Sequence, residues 1–212
     1  MIKKNLKLLI ITSIVALLPM LAGVILWSSL PAELPIHWNV NGEVDGTCSK
    51  AFAVFAVPII MVALQWLTVV VVSSDPKRQN QSEKMKAVAF WCVPVLTNVI
   101  AAIMYATAFG KDVAVLMIVS VSLGLLTVII GNYFPKCKQN YTVGIKLPWT
   151  LSSEENWNKT HRLAGWLWVA CGIIISVFGC LGLVWIVIPV SFVMVLVPVI
   201  YSYVIYRKEN KN

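Results

Sequence analysis

Long apolar runs alternate with short polar intervals along this chain, and the alternation predicts its architecture. A helix that crosses a bilayer needs ~20 mostly apolar residues. Six runs qualify: 6–27, 51–72, 87–109, 113–131, 163–181 and 182–206. The expected fold is an all-α integral membrane protein of six transmembrane helices. No soluble domain remains once the runs are removed, so residues 1–212 read as a single membrane domain. Within it, 1–73 hold the first helix, a long loop and the second helix, and 87–206 hold the other four. Pro19, Pro58, Pro94, Pro189 and Pro198 fall inside runs, where each removes a backbone donor and is expected to kink its helix.

Two intervals are long. In 28–50, Pro31 and Pro35 impose an extended backbone, and Ile36, Trp38 and Val40 alternate with His37 and Asn39. That is the period of a strand with one apolar face. Asn41-Gly42 predicts a two-residue hairpin turn and Asp45-Gly46 a second turn. The interval is therefore expected to be a small β-hairpin-like element anchored by Trp38.

The second interval, 132–162, is the longest polar stretch and holds Asn132, Asn140, Gly144, Pro148, Trp149, Thr150, Trp157, His161 and Arg162. Pro148 pushes Leu147 out of the helical region, and the rigid Pro148-Trp149 pair offers an apolar knob. Ser152 and Glu155 stand at capping-box spacing. Trp157, His161, Ala164 and Trp168 then share one helical face. A helix is expected to start in water near Ser153 and run on into the fifth apolar run. An ordinary membrane loop with interfacial tryptophans has a similar composition.

Composition sharpens the membrane reading. Hydrophobic residues make up 59% and charged residues 12%, and the mean hydropathy is +0.82; soluble domains carry about 25% charged residues. If the N-terminus is cytoplasmic, the inner segments hold Lys3, Lys4, Lys7, Lys77, Arg78, Lys84, Lys86, Lys136, Lys138, Lys146, Lys159, Arg162, Arg207, Lys208 and Lys211. These are 15 of the 17 basic residues, with only Lys50 and Lys111 outside. By the positive-inside rule both termini are then cytoplasmic, and the hairpin is outside. The net charge of +8 faces an anionic inner leaflet, so it calls for no direct nucleic-acid partner. The first run is longer than a signal-peptide core and no A-x-A site follows it, which makes it an uncleaved anchor.

Little in the chain suggests chemistry. Cys48 and Cys137 fall on opposite sides, and Cys92, Cys171 and Cys180 lie in the runs, so no disulfide framework is expected. His37 and His161 are likewise separated. Neither HExxH, paired CxxC nor GxSxG occurs. The expectation is a non-enzyme without metal or cofactor. No Lys, Arg, Asp, Glu or His lies mid-run, which counts against an ion-coupled transporter. Gln65 and Asn98 are the most polar candidates for burial within the runs and are expected to hydrogen-bond between helices. Gly172, Gly179 and Gly182 suit close helix packing, and Glu155–Lys159 suits an i,i+4 pair.

The order Gly144-Ile145-Lys146-Leu147-Pro148-Trp149-Thr150-Leu151, then Trp157, then Lys159-Thr160-His161-Arg162-Leu163-Ala164-Gly165 resembles the signature of the SdpI family. Those are bacterial membrane proteins named for an immunity protein against a secreted peptide toxin. The outer interval, LPxxLPxHWNxxGxxDG, resembles a domain of unknown function that commonly precedes that signature; Cys48 departs from its pattern. The resemblance implies a multi-pass protein of the bacterial cytoplasmic membrane that confers immunity to a membrane-active peptide toxin. It also implies a receptor that holds a cytoplasmic repressor at the membrane. The inner residues Asn132, Asn140, Gly144, Pro148, Trp149, Thr150, Trp157, His161 and Arg162 become candidates for partner docking or for holding the loop. The outer residues Pro35, His37, Trp38, Asn39, Gly42, Asp45 and Gly46 become candidates for facing the toxin. The other readings are a small-solute or lipid transporter and a structural subunit of a membrane complex.

Overall fold

The computed structural model describes the backbone of residues 2–210 and the side chains of residues 5–210. Lys211 and the side chains of Lys3 and Lys4, counted above among the inner basic residues, lie outside the described residues. In chain order the elements are α1 (Ile2–Ile25), β1 (Glu33–Trp38), β2 (Val44–Ser49), α2 (Val57–Ser73), α3 (Glu83–Ala108), α4 (Val115–Tyr133), α5 (Pro148–Ser152), α6 (Glu154–Cys180) and α7 (Val187–Glu209). A π-helical turn, Phe52–Ala56, leads into α2. Among the described residues, six helical stretches are long and apolar enough to span a membrane: Asn5–Ile25, Phe52–Ser73, Glu83–Ala108, Val115–Lys136, Glu154–Cys180 and Val184–Glu209. The expected all-α membrane architecture with a small two-stranded sheet is what the chain adopts. Many apolar side chains on these helices point outward, Leu21 and Ile188 among them, as lipid-facing surfaces require.

The chain divides into two compact units. The first comprises Met1–Val70 and Ala89–Leu116, the second Val71–Val88 and Met117–Asn212.

In the first unit the apolar core joins Leu30, Leu34, Val54, Met104 and Tyr105, with Trp38 packed against it. The hairpin is antiparallel, pairing Leu34 with Cys48 and Trp38 with Val44, with irregular register around His37. Its turn is longer than expected. Asn39 N–H donates to Glu43 O, and the Asn39 side-chain oxygen accepts from Asn41 N–H and Glu43 N–H. The Asn39 carboxamide thus organises a five-residue loop, with Gly42 at φ +82°, in place of a two-residue Asn41-Gly42 turn. The apolar face also differs from the simple alternation. Leu34 and Trp38 face the core, whereas Val40 stands in the turn and is 84% exposed. Lys50 closes the base, donating to the carbonyls of Trp27 and Leu30 and lying over the Trp27 ring.

Proline explains the amide side chains within the spans. A helical proline strands the carbonyl four residues before it, and in lipid that oxygen needs another donor. Pro19 strands Val15 O, and Asn98 Nδ2 donates to it at 2.9 Å. Pro94 strands Phe90 O, which accepts from Gln65 Nε2 at 3.2 Å. In the second unit Pro198 strands Met194 O, and Trp168 Nε1 donates to it at 3.2 Å. The interhelical bonds expected of Gln65 and Asn98 therefore have a defined purpose.

In the second unit glycines let α4 and α6 approach. A Cβ on Gly172 would come within 2.6 Å of Gly124 O, and one on Gly165 within 2.9 Å of Gly131 O. Gly165, Gly172 and Gly179 recur every seven residues along α6 and face Gly131, Gly124 and Ser120 of α4. Gly182, expected in this packing, instead forms the turn after α6 at φ +76°, with no atom near its missing Cβ.

Candidate functional site

Most of the inner candidates converge in the second unit, on a polar interlock between the α2–α3 loop, the 137–147 loop and the first turns of α6. Leu147 is extended ahead of Pro148, as expected, but the next residues form the short helix α5. Ser152 ends α5 and donates to Trp149 O. The helix cap therefore moves one residue on: Ser153 Oγ accepts from Asn156 N–H, replacing the Ser152–Glu155 box. From there Trp157, His161 and Ala164 are buried on one face of α6, with Trp168 half-buried below them.

Each buried polar group in the loop has a defined role. Asn140 folds its own loop, accepting from Thr142 N–H and Val143 N–H and donating to the carbonyls of Lys138 and Val143. Trp157 Nε1 donates to Cys137 O at 2.7 Å, and the Trp157 ring stacks on the His161 ring. His161 Nε2 accepts from Ile145 N–H at 2.9 Å, so Nδ1 carries the proton and donates to Trp157 O at 2.8 Å. Both ring nitrogens are thereby committed to the fold, and His161 offers no free base. Gly144 sits at φ +122°, where a Cβ would meet His161 Nε2 and the Trp157 ring. Thr150 Oγ accepts from Leu147 N–H and donates to Ile145 O.

Trp149 is docked and forms no free knob. Its Nε1 donates to Ser202 Oγ on α7, and its ring lies against Tyr203 and Tyr206. Asn156 donates to Ser202 O from the other side. Pro148, Asn132 and Arg162 are exposed. Asn132 lies on α4 outside the interlock, and Arg162 points away from it.

The centre of the interlock is a residue that the sequence pattern does not single out. Asp75 is 1% exposed. It accepts from Tyr141 N–H at 2.9 Å, Thr142 Oγ at 2.7 Å and Lys77 N–H at 2.7 Å, with Gln81 Nε2 at 3.4 Å. Burial opposes the charge on Asp75. The bonds from Thr142, Lys77 and Tyr141 outweigh it and hold the carboxyl below its ordinary value of 3.8. Beside it, Lys77 Nζ donates to Gln139 Oε1, and Gln139 Nε2 donates to the carbonyls of Thr150 and Leu151. Burial pushes the neighbouring Cys137 thiol up to about 11, so it stays protonated and inert. Asp75, Gln81, Gln139, Asn156 and Ser202 follow no period and pair across up to 67 residues of chain. Their only sequence signal is their polarity beside apolar runs.

The outer candidates share the hairpin of the first unit. His37 pairs with Asp45 across the strands on the exposed face, and Thr47 donates to Glu33 there. Pro35 is buried, Trp38 is half-buried on the core, and Asn39 and Gly42 shape the turn. Gly46 lies opposite His37, where a Cβ would come within 3.0 Å of His37 Cβ. No group of three or more His, Cys, Asp or Glu that could hold a metal occurs among the described residues.

Two family models match the chain. Residues 136–202 match the SdpI/YfhL protein family, and residues 14–62 match a domain of unknown function, DUF1648. The first match covers most of the interlock, and the second covers the hairpin. The chain is also similar to the immunity protein SdpI of Bacillus subtilis strain 168, at 28% identity over 214 residues that cover 98% of each chain. No solved structure matches it.

Proposed function

We propose that this chain, a multi-pass membrane protein of the SdpI family, is a bacterial immunity protein that protects its host from a membrane-active secreted peptide toxin. The supporting observation is the similarity to an immunity protein along 98% of both chains, which takes in the hairpin, the spans and the interlock together. On this reading both termini are cytoplasmic, the interlock faces the cytoplasm and the hairpin faces outward. Cysteine labelling is expected to reach Glu43 and Lys111 from outside and Lys77, Lys146 and Arg207 only from inside. Labelling of positions 43 and 146 from the same side would overturn the orientation.

The hairpin is the outer surface best suited to meet a toxin, since its exposed face carries polar groups held by cross-strand pairs. Expression of the chain in a toxin-sensitive bacterium is expected to restore growth under toxin. Trp38→Ala removes the anchor, and Gly42→Val strains a turn residue at φ +82°. Both are expected to lower survival about tenfold or more at equal membrane abundance. Wild-type survival in both variants would reduce the hairpin to a connector, and no protection by the wild-type chain would sink the immunity reading.

The finer part of the proposal is that the inner side holds a cytoplasmic repressor while toxin is present. The signature side chains that reach the surface are Asn132, Pro148 and Arg162, with part of Trp149, and Arg162 and Trp149 are the ones that carry a hydrogen-bond donor on the loop and α6. In the same strains, Arg162→Ala and Trp149→Ala are expected to reduce recruitment of the repressor more than survival. Parallel loss of recruitment, survival and protein abundance would make the loop purely structural.

A further inference from the structure

On the side of α6 turned away from the interlock, α6 and α7 leave an open cleft of about 740 Å³. The residues along it follow a definite order. Trp166, 74% exposed, and Leu163 lie towards the apolar part of α6. Arg162 comes next, then Asn158, and finally Glu154 and Glu155 at the polar end. Each step is close to one helical turn, about 6 Å. Glu155 is held by Lys159 in an i,i+4 pair. The side chains of Arg162 and Glu154 are exposed and make no hydrogen bond or ion pair among the described residues. The cleft therefore presents one free cation and one free carboxylate. Side chains on a helix lean towards its N-terminus, which carries the guanidinium towards the Asn158 level.

At this depth the bilayer is the solvent. The exposed Trp166 and the adjacent Arg162 mark the boundary between acyl chains and headgroups, where tryptophan and arginine concentrate. A cleft there is filled by lipid, and the order of groups along it selects which lipid. The apolar and aromatic end suits acyl chain and glycerol. Arg162 suits a phosphate, which a guanidinium binds through two parallel N–H donors. The unpaired Glu154, beyond an amide, suits a cation further out in the same headgroup. An anionic headgroup would satisfy Arg162 and leave Glu154 facing like charge.

We propose that the α6–α7 cleft is a phospholipid site for a glycerophospholipid with a primary ammonium headgroup, the phosphatidylethanolamine class, with its phosphate on Arg162 and its ammonium on the Glu154 side. The site holds whether or not the protein confers immunity, since it depends only on the membrane setting of α6.

The test is native mass spectrometry of the full chain in detergent, titrated with phosphatidylethanolamine, phosphatidylcholine, phosphatidylglycerol and soluble phosphoethanolamine. Phosphatidylethanolamine is expected to bind about tenfold more tightly than phosphatidylglycerol, the effect of one charge-assisted hydrogen bond. Phosphatidylcholine, which keeps the charge but has no N–H, is expected to fall between them. Arg162→Gln is expected to weaken phosphatidylethanolamine binding about tenfold. Glu154→Gln is expected to remove the preference over phosphatidylglycerol while leaving the phosphate contact. Both side chains are exposed and unpartnered, so unfolding temperatures should stay close to wild type, with only a slight drop for Glu154→Gln, whose carboxylate lies in the first turn of α6. Equal binding of the three lipids by the wild type, or no change in either variant, would overturn the site. Soluble phosphoethanolamine binding as tightly as the lipid would overturn its lipid occupancy.

Discussion

Trp157→Ala is expected to destabilise the protein by about 3–5 kcal/mol, the range for emptying a buried aromatic site. Trp157 is fully buried among Met85, Phe134, Cys137 and Ala164. Removing it opens a cavity, strips His161 of its stacking partner and leaves Cys137 O without its indole donor. Gly144→Ala attacks the same point from the loop side. Its Cβ would collide with His161 Nε2, the atom that accepts from Ile145 N–H, and the backbone there is at φ +122°. Strain and overpacking together are expected to cost about 3 kcal/mol. Thermal unfolding of the detergent-solubilised chain measures both. Trp157→Phe fills most of the volume and should lose only the indole hydrogen bond, about 1 kcal/mol. Equal stability of wild type and Trp157→Ala would mean that the loop does not close over α6 as described.

Asp75→Ala is expected to cost about 3 kcal/mol, because it leaves several buried donors unsatisfied at once. The donors are Tyr141 N–H, Thr142 Oγ and Lys77 N–H. Asp75→Asn keeps the shape but turns an N–H towards those donors, so it should recover little. The pH dependence gives an independent check. The folded carboxyl titrates below its ordinary value of 3.8. A depressed folded value stabilises the protein above the unfolded value, and that contribution is lost as pH falls through the folded one. The gap between wild type and Asp75→Asn should therefore be flat from about pH 5 to 8 and close only in stronger acid. A gap that closes already near neutral pH would show that Asp75 is not held as a carboxylate by these bonds.

Both predictions give the signature motif a physical meaning. Asn140, Thr150, Trp157 and His161 are internal, and each satisfies a backbone group of the loop or of its own helix. Gly144 is there because nothing larger fits beneath the imidazole. Any surface that meets a lipid or a protein partner is built on this interlock by residues that point outward, Pro148 and Arg162 among them.

The six spans, the loop–helix boundary near Ser153 and the buried face of α6 were legible in the sequence. Each rests on a periodic or compositional signal: ~20-residue apolar runs, a polar start, or recurrence every three to four residues. Gln65 and Asn98 were legible as interhelical donors, because lipid offers a polar side chain no other partner. The tertiary structure alone decided which acceptors they serve. The stranded carbonyls of Phe90 and Val15 belong to helices 25 and 83 residues away in the chain. The same holds for Asp75, whose ligands sit on a loop 66–67 residues later. A hydrogen bond between aperiodic loops leaves no period in either segment. The hairpin shows the same limit at short range. Alternation placed a strand there, but the Asn39 carboxamide lengthened the turn and moved Val40 out of the strand face, a choice made by one side chain's geometry and not by hydropathy.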